Sequence, residues 1–504
     1  MKSVVALPQV LVEVDGLQLE EAAINELAAV RVRQRLAAPA QCELSFHGPV
    51  ETDLPRPGAD LRVAVAGHDT RLFEGQVTAV EHVFGPDRDY SLVVRAYDAL
   101  HRLRKRQHAR SFVQMTVDGI ASELAHDVEL ESRSAESGPV WQNIVQHNET
   151  DLELLVVLAA RCGLYPVIRD GTLQLITLEG ERGSFAPELT LGEELLEARV
   201  ELNGERAARK VSAVGWDPLR AETHHAEAGS PRTGREIGAE VDPSAVGGTG
   251  EVELFGEYAS DEAHVAALAQ AELDARAAGE ITVWGIAEGD PQLQAGTTVE
   301  LSGLRDELDG RYVLTDVTHT VDGIRGYLTE LSSAPPDVRR RRTAASAALG
   351  EVTSVDDPDG RGRVRVKFPA HGDVESDWLG VVVPGAGEDR GVVALPNVGD
   401  RVLVGFANED PAIGVVWGGL YGTGGPPDPG VAGAAVQRFS IRTSGGQWIT
   451  LDDENKKLRL EDVTGSSVEL SPDQVTVHAA VDLTIEAPGR AVLVRAKTVD
   501  FEQG

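Results

Sequence analysis

The sequence predicts a mainly β protein with inserted helices, in which two β-barrels are followed by a small closed barrel and a C-terminal intertwined trimeric β-prism. Three observations support this fold class. Short runs of alternating Val, Leu and Ile, separated by Gly, Pro and Asp turns, extend through most of the 504 residues. Helical periodicity is confined to a few segments. From residue 440 onward, apolar residues recur as pairs two positions apart, which is the spacing of one face of a short strand.

Composition and charge exclude several functional classes. The chain has 81 Asp and Glu against 47 Lys and Arg, a net charge of -34, so we expect no nucleic-acid partner. Cys42 and Cys162 lie far apart and are expected to be buried thiols rather than a disulfide. Pro8 interrupts the apolar N-terminal run, and no window reaches the roughly 18 apolar residues of a membrane span. We therefore expect the chain to be made and folded in the cytoplasm.

Residues 1–110 are predicted to form the first β-barrel and residues 111–165 a helical insertion. Residues 150–153 form a capping box at the start of one helix, and Asp118 can cap a shorter one. The basic run over 101–110 contains no interleaved aromatic residues, so it is weak support for nucleic-acid binding. We interpret it as a solvated connection between strand and helix, or as a patch for an acidic neighbouring subunit.

Residues 166–332 are predicted to form the second β-barrel, with a helix over 261–278 that packs on its sheet. Asp261 is predicted to cap this helix, and Gly279 to lie just past its end. Gly, Pro, Ser and Thr dominate residues 222–250, which we expect to be a mobile excursion. His224 and His225 have no third ligand at a fixed spacing, so we expect surface histidines rather than metal ligands. No motif points to a cofactor, and we expect none.

A weak internal sequence similarity links the two predicted barrels. Residues 75–83 and 310–321 are both predicted strands entered from Gly, and each carries a Val and a His two positions apart. The matching pairs are Val80 with Val317 and His82 with His319. If this similarity reflects a true repeat, the chain carries two copies of a similar barrel.

A linker over 333–350 precedes the small barrel, which is predicted over 351–422, and a second linker over 423–439 follows it. Between residues 360 and 422 about five runs of alternating Val and Leu are cut by turn residues, which is typical of a small closed antiparallel barrel. The four consecutive arginines Arg339 to Arg342 are interpreted as an electrostatic tie to an acidic neighbouring subunit or as a solvated linker.

Residues 440–504 are predicted to form the trimeric β-prism. One chain of such short strands has too few inward-facing residues for a core, whereas three chains wound together bury the apolar pairs on a common axis. A single-chain β-solenoid is the alternative. The residues predicted to mediate trimerisation are Leu458, Leu460, Val468, Leu470, Val475, Val477, Leu483, Ile485, Val492 and Val494. A last apolar pair, Val499 and Phe501, lies near the C-terminus.

Several segments resemble a known family. In the second half their order is RVRVKFP, SDWLGVVVPGAG, LPNVGDRVLVGFANEDP and VVWGGLYG, followed by ITLDDENKKLRLED. This order resembles the spike proteins of contractile injection machines, namely the VgrG family and the phage tail spike and hub. In the first half, the segments FEGQVTAVEHVF, LVVRAYDALHRLRKR and IVQHNETDLELLVVLAARCGLYPV resemble the phage late-control-D hub domain.

The resemblance implies a homotrimeric spike and hub that adapts a sixfold inner tube to a threefold needle, which pierces the target envelope. It implies an OB-fold (oligonucleotide/oligosaccharide-binding) collar, inner-tube and baseplate proteins as partners, and a conical PAAR-type protein at the tip. Val499 and Phe501 are the predicted docking residues for that tip protein. The resemblance favours an extracellular phage-tail-like particle, assembled in the cytoplasm and then released, which contacts the target membrane only on firing.

The chain departs from the family in two ways. We expect neither a lysozyme-like insertion between barrel and prism nor an effector domain after the prism, so any toxin is expected to be a separate protein.

Two alternatives are a tail-associated enzyme and a carbohydrate-binding baseplate protein. Acids that could cleave glycans cluster at Asp356, Asp357 and Asp359, and at Asp306, Glu307 and Asp309. Both clusters adjoin Gly in predicted turns, where Asp is favoured for its backbone hydrogen bonds, so we expect no enzymatic activity. Trp378 and Trp417 are expected to pack inward, which leaves the barrel without the exposed aromatic residues that a carbohydrate site needs.

Overall fold

The computed structural model describes residues 8–48, 55–86, 89–108, 110–146, 149–181, 186–217, 222–259, 261–338, 347–406 and 414–502. The chain divides into two compact units, residues 1–420 and 421–504. Strands outnumber helices throughout the described residues, so the predicted mainly β fold with inserted helices is confirmed. None of the described helices is both long enough and apolar enough to cross a membrane.

The first β region consists of strands with two short helices. Its strands are β1 (Val10–Val14), β2 (Leu17–Gln18), β3 (Leu27–Arg35), β4 (Ala38–His47), β5 (Asp60–Val65), β6 (Arg71–Phe84) and β7 (Tyr90–Tyr97). Its helices are α1 (Glu21–Asn25) and α2 (His101–Arg104).

The helical insertion follows. Its elements are β8 (Arg110–Met115), α3 (Val117–His126), β9 (Glu131–Ser134), β10 (Trp141–Gln146), α4 (Asp151–Arg161), β11 (Tyr165–Arg169) and β12 (Thr172–Ile176). The capping box at the start of α4 is present, with Thr150 and Glu153 each bonding the other's backbone N–H. Helix α3 is capped by Thr116 rather than by Asp118, which lies in its first turn.

The second β region contains one long helix. Its elements are β13 (Glu188–Thr190), β14 (Leu195–Leu202), β15 (Lys210–Asp217), β16 (Glu222–Ala228), β17 (Glu236–Ile237), β18 (Glu251–Tyr258), α5 (Glu262–Glu280), β19 (Ile281–Glu288), β20 (Thr298–Ser302), β21 (Gly310–Val313), β22 (Asp316–Asp322) and β23 (Gly326–Ser332). Asp261 caps α5 as expected, and the helix runs past Gly279, where we expected it to end.

The small barrel and the C-terminal unit contain the remaining strands. Those of the barrel are β24 (Ala347–Ser354), β25 (Arg365–Phe368), β26 (Val374–Glu375), β27 (Gly380–Val381), β28 (Arg401–Phe406) and β29 (Gly414–Gly419). Those of the C-terminal unit are β30 (Val431–Ala432), β31 (Ala435–Val436), β32 (Arg438–Arg442), β33 (Trp448–Asp452), β34 (Lys457–Glu461), β35 (Ser467–Leu470) and β36 (Val475–His478). Strand β24 begins inside the segment predicted as a linker. Arg339 to Arg342 lie outside the described residues.

One eleven-stranded sheet joins the two β regions, in the order β14-β19-β23-β22-β3-β4-β7-β6-β5-β1-β2. The junction is the antiparallel pairing of β3 with β22. Two separate apolar cores lie along this sheet, and β22 contributes to both, through Val321 to the first and Val317 to the second. The two predicted barrels therefore share a continuous hydrogen-bonded sheet.

The expectation of a mobile excursion over 222–250 is wrong. The segment begins with β16, which pairs with β15, and it contains β17 and a 3-10 helix over Pro243–Val246. Arg232 fixes its middle, because the buried carboxylate of Asp274 on α5 accepts its backbone N–H at 2.7 Å and its Nε–H at 2.9 Å. His224 and His225 accordingly lie on a strand, and the described residues contain no group of three potential metal ligands.

Candidate assembly surface

The C-terminal unit presents an apolar face built from two rows of side chains. Strands β32 to β36 form an antiparallel meander, so residues paired across neighbouring strands lie side by side. One row is Ile441, Ile449, Leu460, Val468 and Val477; the other is Phe439, Leu451, Leu458, Leu470 and Val475. Within each strand the two rows are two residues apart, so all ten side chains point to one side of the sheet. We call this set the apolar face.

The opposite side of the same sheet is polar. The row that lies between the two apolar rows is Ser440, Thr450, Arg459, Glu469 and Thr476. Glu469 accepts hydrogen bonds from Lys457 at 2.9 Å and from Arg459 at 3.2 Å, and the bond from Lys457 is the main cause of its lowered pKa. This side is therefore suited to water, and the sheet is amphipathic.

Nothing in the described part of the C-terminal unit covers the apolar face. Nine of its ten side chains are exposed and Leu458 is half-buried; Phe439 and Val477 each keep 60% of their surface exposed. None of the apolar cores of the described residues includes a side chain from this unit. An isolated single-layer sheet is marginal in water, and a contiguous exposed apolar surface of this kind is uncommon on a soluble monomer.

The structure brings together six of the ten residues predicted for trimerisation, namely Leu458, Leu460, Val468, Leu470, Val475 and Val477. The other four, Leu483, Ile485, Val492 and Val494, are exposed and lie outside the described strands. Val499 and Phe501, predicted for tip docking, are also exposed and outside strands, with Phe501 at 94%. The single-chain solenoid is not what these strands form, because they make an antiparallel meander.

The sequence prediction missed four residues of the apolar face, namely Phe439, Ile441, Ile449 and Leu451. They carry the same signal as the others, since each strand has two apolar residues separated by one polar residue. The extended pattern therefore includes β32 and β33, which could have been found from the sequence.

The small barrel is closed. Its ladder runs β26-β25-β24-β28-β29-β27, and a bridge between Val364 and Leu379, with N···O distances of 3.0 and 2.8 Å, joins the ends next to β25 and β27. The predicted closed barrel is therefore confirmed. Trp378 is half-buried beneath Arg365, but Trp417 is 57% exposed, so the expectation that Trp417 packs inward is wrong. Strand β29 places it on the outer side of the barrel.

A small apolar cluster connects the barrel to the second β region. Trp216 at the end of β15 packs with Leu349 of β24 and Ala370, and all three are buried. The barrel is therefore held by side-chain packing as well as by the chain that precedes it.

Asp357 and Asp309, from the two acidic clusters, stabilise turns of the backbone. The Asp357 carboxylate accepts the backbone N–H groups of Asp359, Arg361 and Arg363 and pairs with the Arg363 guanidinium, which together keep its pKa far below the usual range. Asp309 accepts the N–H groups of Gly303 and Leu304 in the same way. These contacts are the backbone role that the sequence indicated.

The basic run over 101–110 is partly neutralised within the chain. Arg106 and Arg110 both contact Asp127 and the fully buried Asp151, at N···O distances of 2.8 to 3.3 Å. The hydrogen bond from Arg110 is the main cause of the lowered pKa of Asp127.

The internal sequence similarity between residues 75–83 and 310–321 extends to a side-chain contact. His82 bonds Tyr90 Oη at 2.8 Å across the β6-β7 hairpin, and His319 lies 3.1 Å from Tyr327 Oη across the β22-β23 hairpin. In both hairpins the Tyr follows the His by eight residues. The environments differ, because His82 is exposed, whereas burial lowers the pKa of His319 to about 4.

Two family models match the chain. Residues 348–421, which form the closed barrel, match the type VI secretion system/phage-baseplate injector OB domain. Residues 49–323, more than half of the chain, match the Alg8 N-terminal domain. The chain belongs to the Alg8 N-terminal domain family. The OB-domain match confirms the resemblance of this family member to spike proteins of contractile injection machines.

Solved structures similar to this family member come from phage tails and secretion systems. They include a 43 kDa tail protein of prophage MuSo2 from Shewanella oneidensis, with 16% identity, 64% of this chain and 97% of that chain covered, and a TM-score of 0.49. The E. coli type VI secretion component c3393 has 14% identity, covers 81% and 99%, and scores 0.43. A Francisella PdpA-VgrG complex has 9% identity, covers 94% and 88%, and scores 0.40. All three scores are below 0.5, so the family assignment depends on the match to the Alg8 N-terminal domain.

Proposed function

We propose that this protein is the homotrimeric spike and hub of a contractile injection machine. The observation that carries the proposal is the uncovered apolar face, which recurs in register across five strands that follow an injector-type OB domain in the sequence. Three copies of the sheet can bury their apolar faces on one axis while their polar sides meet water. In this arrangement the apolar side of each single-layer sheet is no longer exposed to water.

Burial of the apolar face favours association of the chains. Full burial of a Val, Leu, Ile or Phe side chain is worth about 2 kcal/mol, so covering the exposed half of each contributes about 1 kcal/mol. Ten such residues give about 10 kcal/mol per chain before the entropy of association is subtracted. Trimerisation through this face is therefore the expected state.

In this role the two β regions of each chain would give six similar units per trimer against a sixfold inner tube, and the C-terminal strands would form the threefold needle that pierces the envelope. Val499 and Phe501 would dock a conical PAAR-type tip protein. Tube and baseplate proteins would be partners, and a toxin would be a separate cargo. We place the assembly in the bacterial cytoplasm, with release as an extracellular particle, and assign the protein a mechanical rather than an enzymatic role.

The test is the mass of the full chain in solution. Analytical ultracentrifugation at micromolar concentration should give three times the 53.7 kDa chain mass. A monomer at every concentration would refute the proposal. A trimer that persists after removal of residues 421–504 would place self-association elsewhere.

Trp417 favours a second candidate, a carbohydrate-binding baseplate protein, because an exposed Trp on a barrel can stack on a sugar ring. Glycan-array binding by the full chain that disappears in Trp417→Ala would support it. Equal binding by both proteins, or none, would remove this candidate.

A further inference from the structure

The eleven-stranded sheet contains the same four-stranded arrangement twice. The first repeat has the spatial order β3-β4-β7-β6, and the second has the order β14-β19-β23-β22. When the strands of each repeat are numbered along the chain, both orders read 1-2-4-3, and all neighbouring pairs are antiparallel. The sequence similarity between β6 and β22 therefore belongs to a repeat of two whole four-stranded sheets.

Each repeat has one outer strand that is unpaired on its second side in the described part of the chain. Strand β14 ends the eleven-stranded sheet. Strand β5 pairs with β6 over residues 71–76, so residues 80–84 of β6 pair with β7 alone among the described strands. Both edges carry exposed apolar side chains, with Phe84 at 78% on β6 and Leu202 at 50% on β14. Unpaired edges of this kind are templates for another strand.

The two unpaired edges are complementary, because the same two kinds of edge already meet inside the chain. In the repeat β6 corresponds to β22 and β14 corresponds to β3, and β22 pairs with β3 at the junction. Three antiparallel pairings separate the outer strands of each repeat, so β6 runs in the direction of β22 and β14 in the direction of β3. Strand β6 of one copy can therefore meet β14 of another as an antiparallel pair.

The repeat also predicts the register of this pair. The ladders give two equivalent rows of paired residues, namely Val80, Val94, Leu44 and Val30 in the first repeat and Val317, Leu331, Gly285 and Ala198 in the second. At the junction Val317 pairs with Gln34, which lies four residues after Val30. The equivalent partner of Val80 lies four residues after Ala198, which is Leu202. Phe84 then lies opposite Ala198, so each exposed apolar side chain gains an apolar neighbour.

We propose that residues 80–84 of β6 in one copy of this chain pair with residues 198–202 of β14 in the next copy. The two edges differ, so the contact is head-to-tail, and three such contacts close a ring of six repeats. The inference rests on the proposed trimer, because this pairing alone buries few apolar side chains.

The charges on the other side of the sheet accommodate the predicted register. Glu81 would lie opposite Glu201, which alone would be unfavourable. Arg95 lies 2.7 Å from Glu81, and Arg199 would be its diagonal neighbour across the new pair. Two cations therefore accompany the two carboxylates.

The test is disulfide trapping in the full chain, through Val83 and Arg199, which lie opposite each other in the predicted register. Paired Cα atoms are about 4.5 to 5.5 Å apart, a separation that a disulfide spans. Both side chains are exposed, and the native Cys42 and Cys162 are buried. Oxidation of the variant Val83→Cys/Arg199→Cys by O₂ with copper phenanthroline should produce covalently linked dimers and trimers on a non-reducing denaturing gel.

The matched control is His82→Cys/Arg199→Cys, because residue 82 faces the opposite side of β6. It should give about tenfold less linked product, since the two Cβ atoms point apart. Equal linking by the two pairs would overturn the register. A trimeric chain that forms no link through residues 83 and 199 would overturn the strand pairing and leave the proposed trimer intact. A monomeric chain would overturn both.

Hydrogen exchange of unmodified strands gives a second measurement that does not depend on the cysteine variants. The amides of residues 198–202 that point away from β19 should exchange about tenfold more slowly in the unmodified chain than in the variant Val477→Asp, which tests the apolar face. Equal exchange, with a trimeric unmodified chain and a monomeric variant, would overturn the proposed pairing.

Discussion

The substitution Val477→Asp tests the apolar face most sharply. Val477 lies at the end of one apolar row and keeps 60% of its surface exposed in the single chain, so a trimer would bury it. Placing an unpaired carboxylate in that contact costs about 4 kcal/mol per chain, or about 12 kcal/mol for three copies. Such a penalty corresponds to roughly nine orders of magnitude in the trimerisation constant, so the variant should be monomeric.

The matched control is Thr476→Asp, which adds the same charge one residue away on the polar side of β36. Ultracentrifugation of both variants beside the unmodified chain is the assay, with circular dichroism to confirm that the first unit remains folded. A Val477→Asp protein that stays trimeric would refute the argument. Equal dissociation by both variants would show that charge alone, rather than the face it occupies, is responsible.

Three further predictions follow from contacts within the first unit. Trp216→Ala should lower the free energy of unfolding by about 3 kcal/mol in urea titrations, because it empties a buried contact, whereas the exposed Trp417→Ala should leave it unchanged. Arg232→Ala leaves the buried Asp274 carboxylate without its cation and should cost about 3 kcal/mol, with faster amide exchange around residue 232; unchanged exchange would contradict this. Burial raises the pKa of Asp98 to about 7, so the folded state keeps a proton that the unfolded chain has lost, and stability should fall as the pH rises from about 4 to 7. Asp98→Asn should flatten that pH dependence of the urea midpoint.

The sequence predicted features whose cause is local. The capping box at Thr150 and the cap at Asp261 each place a polar side chain three residues before its backbone donor, a spacing visible in the printed chain. The apolar pairs of β34 to β36 follow from the two-residue period of strands. The closed barrel follows from alternating strands cut by turns.

Features that depend on distant contacts were not predictable in this way. Composition suggested a mobile segment over 222–250, yet Arg232 is held by Asp274, which lies 42 residues further along the chain. The exposure of Trp417 depends on which side of β29 faces the barrel core, where Val416 is buried instead. The unpaired edges of β6 and β14 appear only once several strands have met.

The pairing of β3 with β22 has a consequence for biosynthesis. The Arg33–Asp316 ion pair across this junction joins residues 283 positions apart. At about 5 to 20 residues per second, the ribosome needs roughly 15 to 60 s to deliver the partner of β3 after β3 itself has emerged. During this interval β3 would present an unpaired edge on which Arg31, Arg33 and Arg35 are exposed at alternate positions, and charged side chains of this kind oppose edge-to-edge aggregation. The arginines of β3 would thus protect the nascent chain from aggregation until β22 pairs with β3 and completes the large sheet.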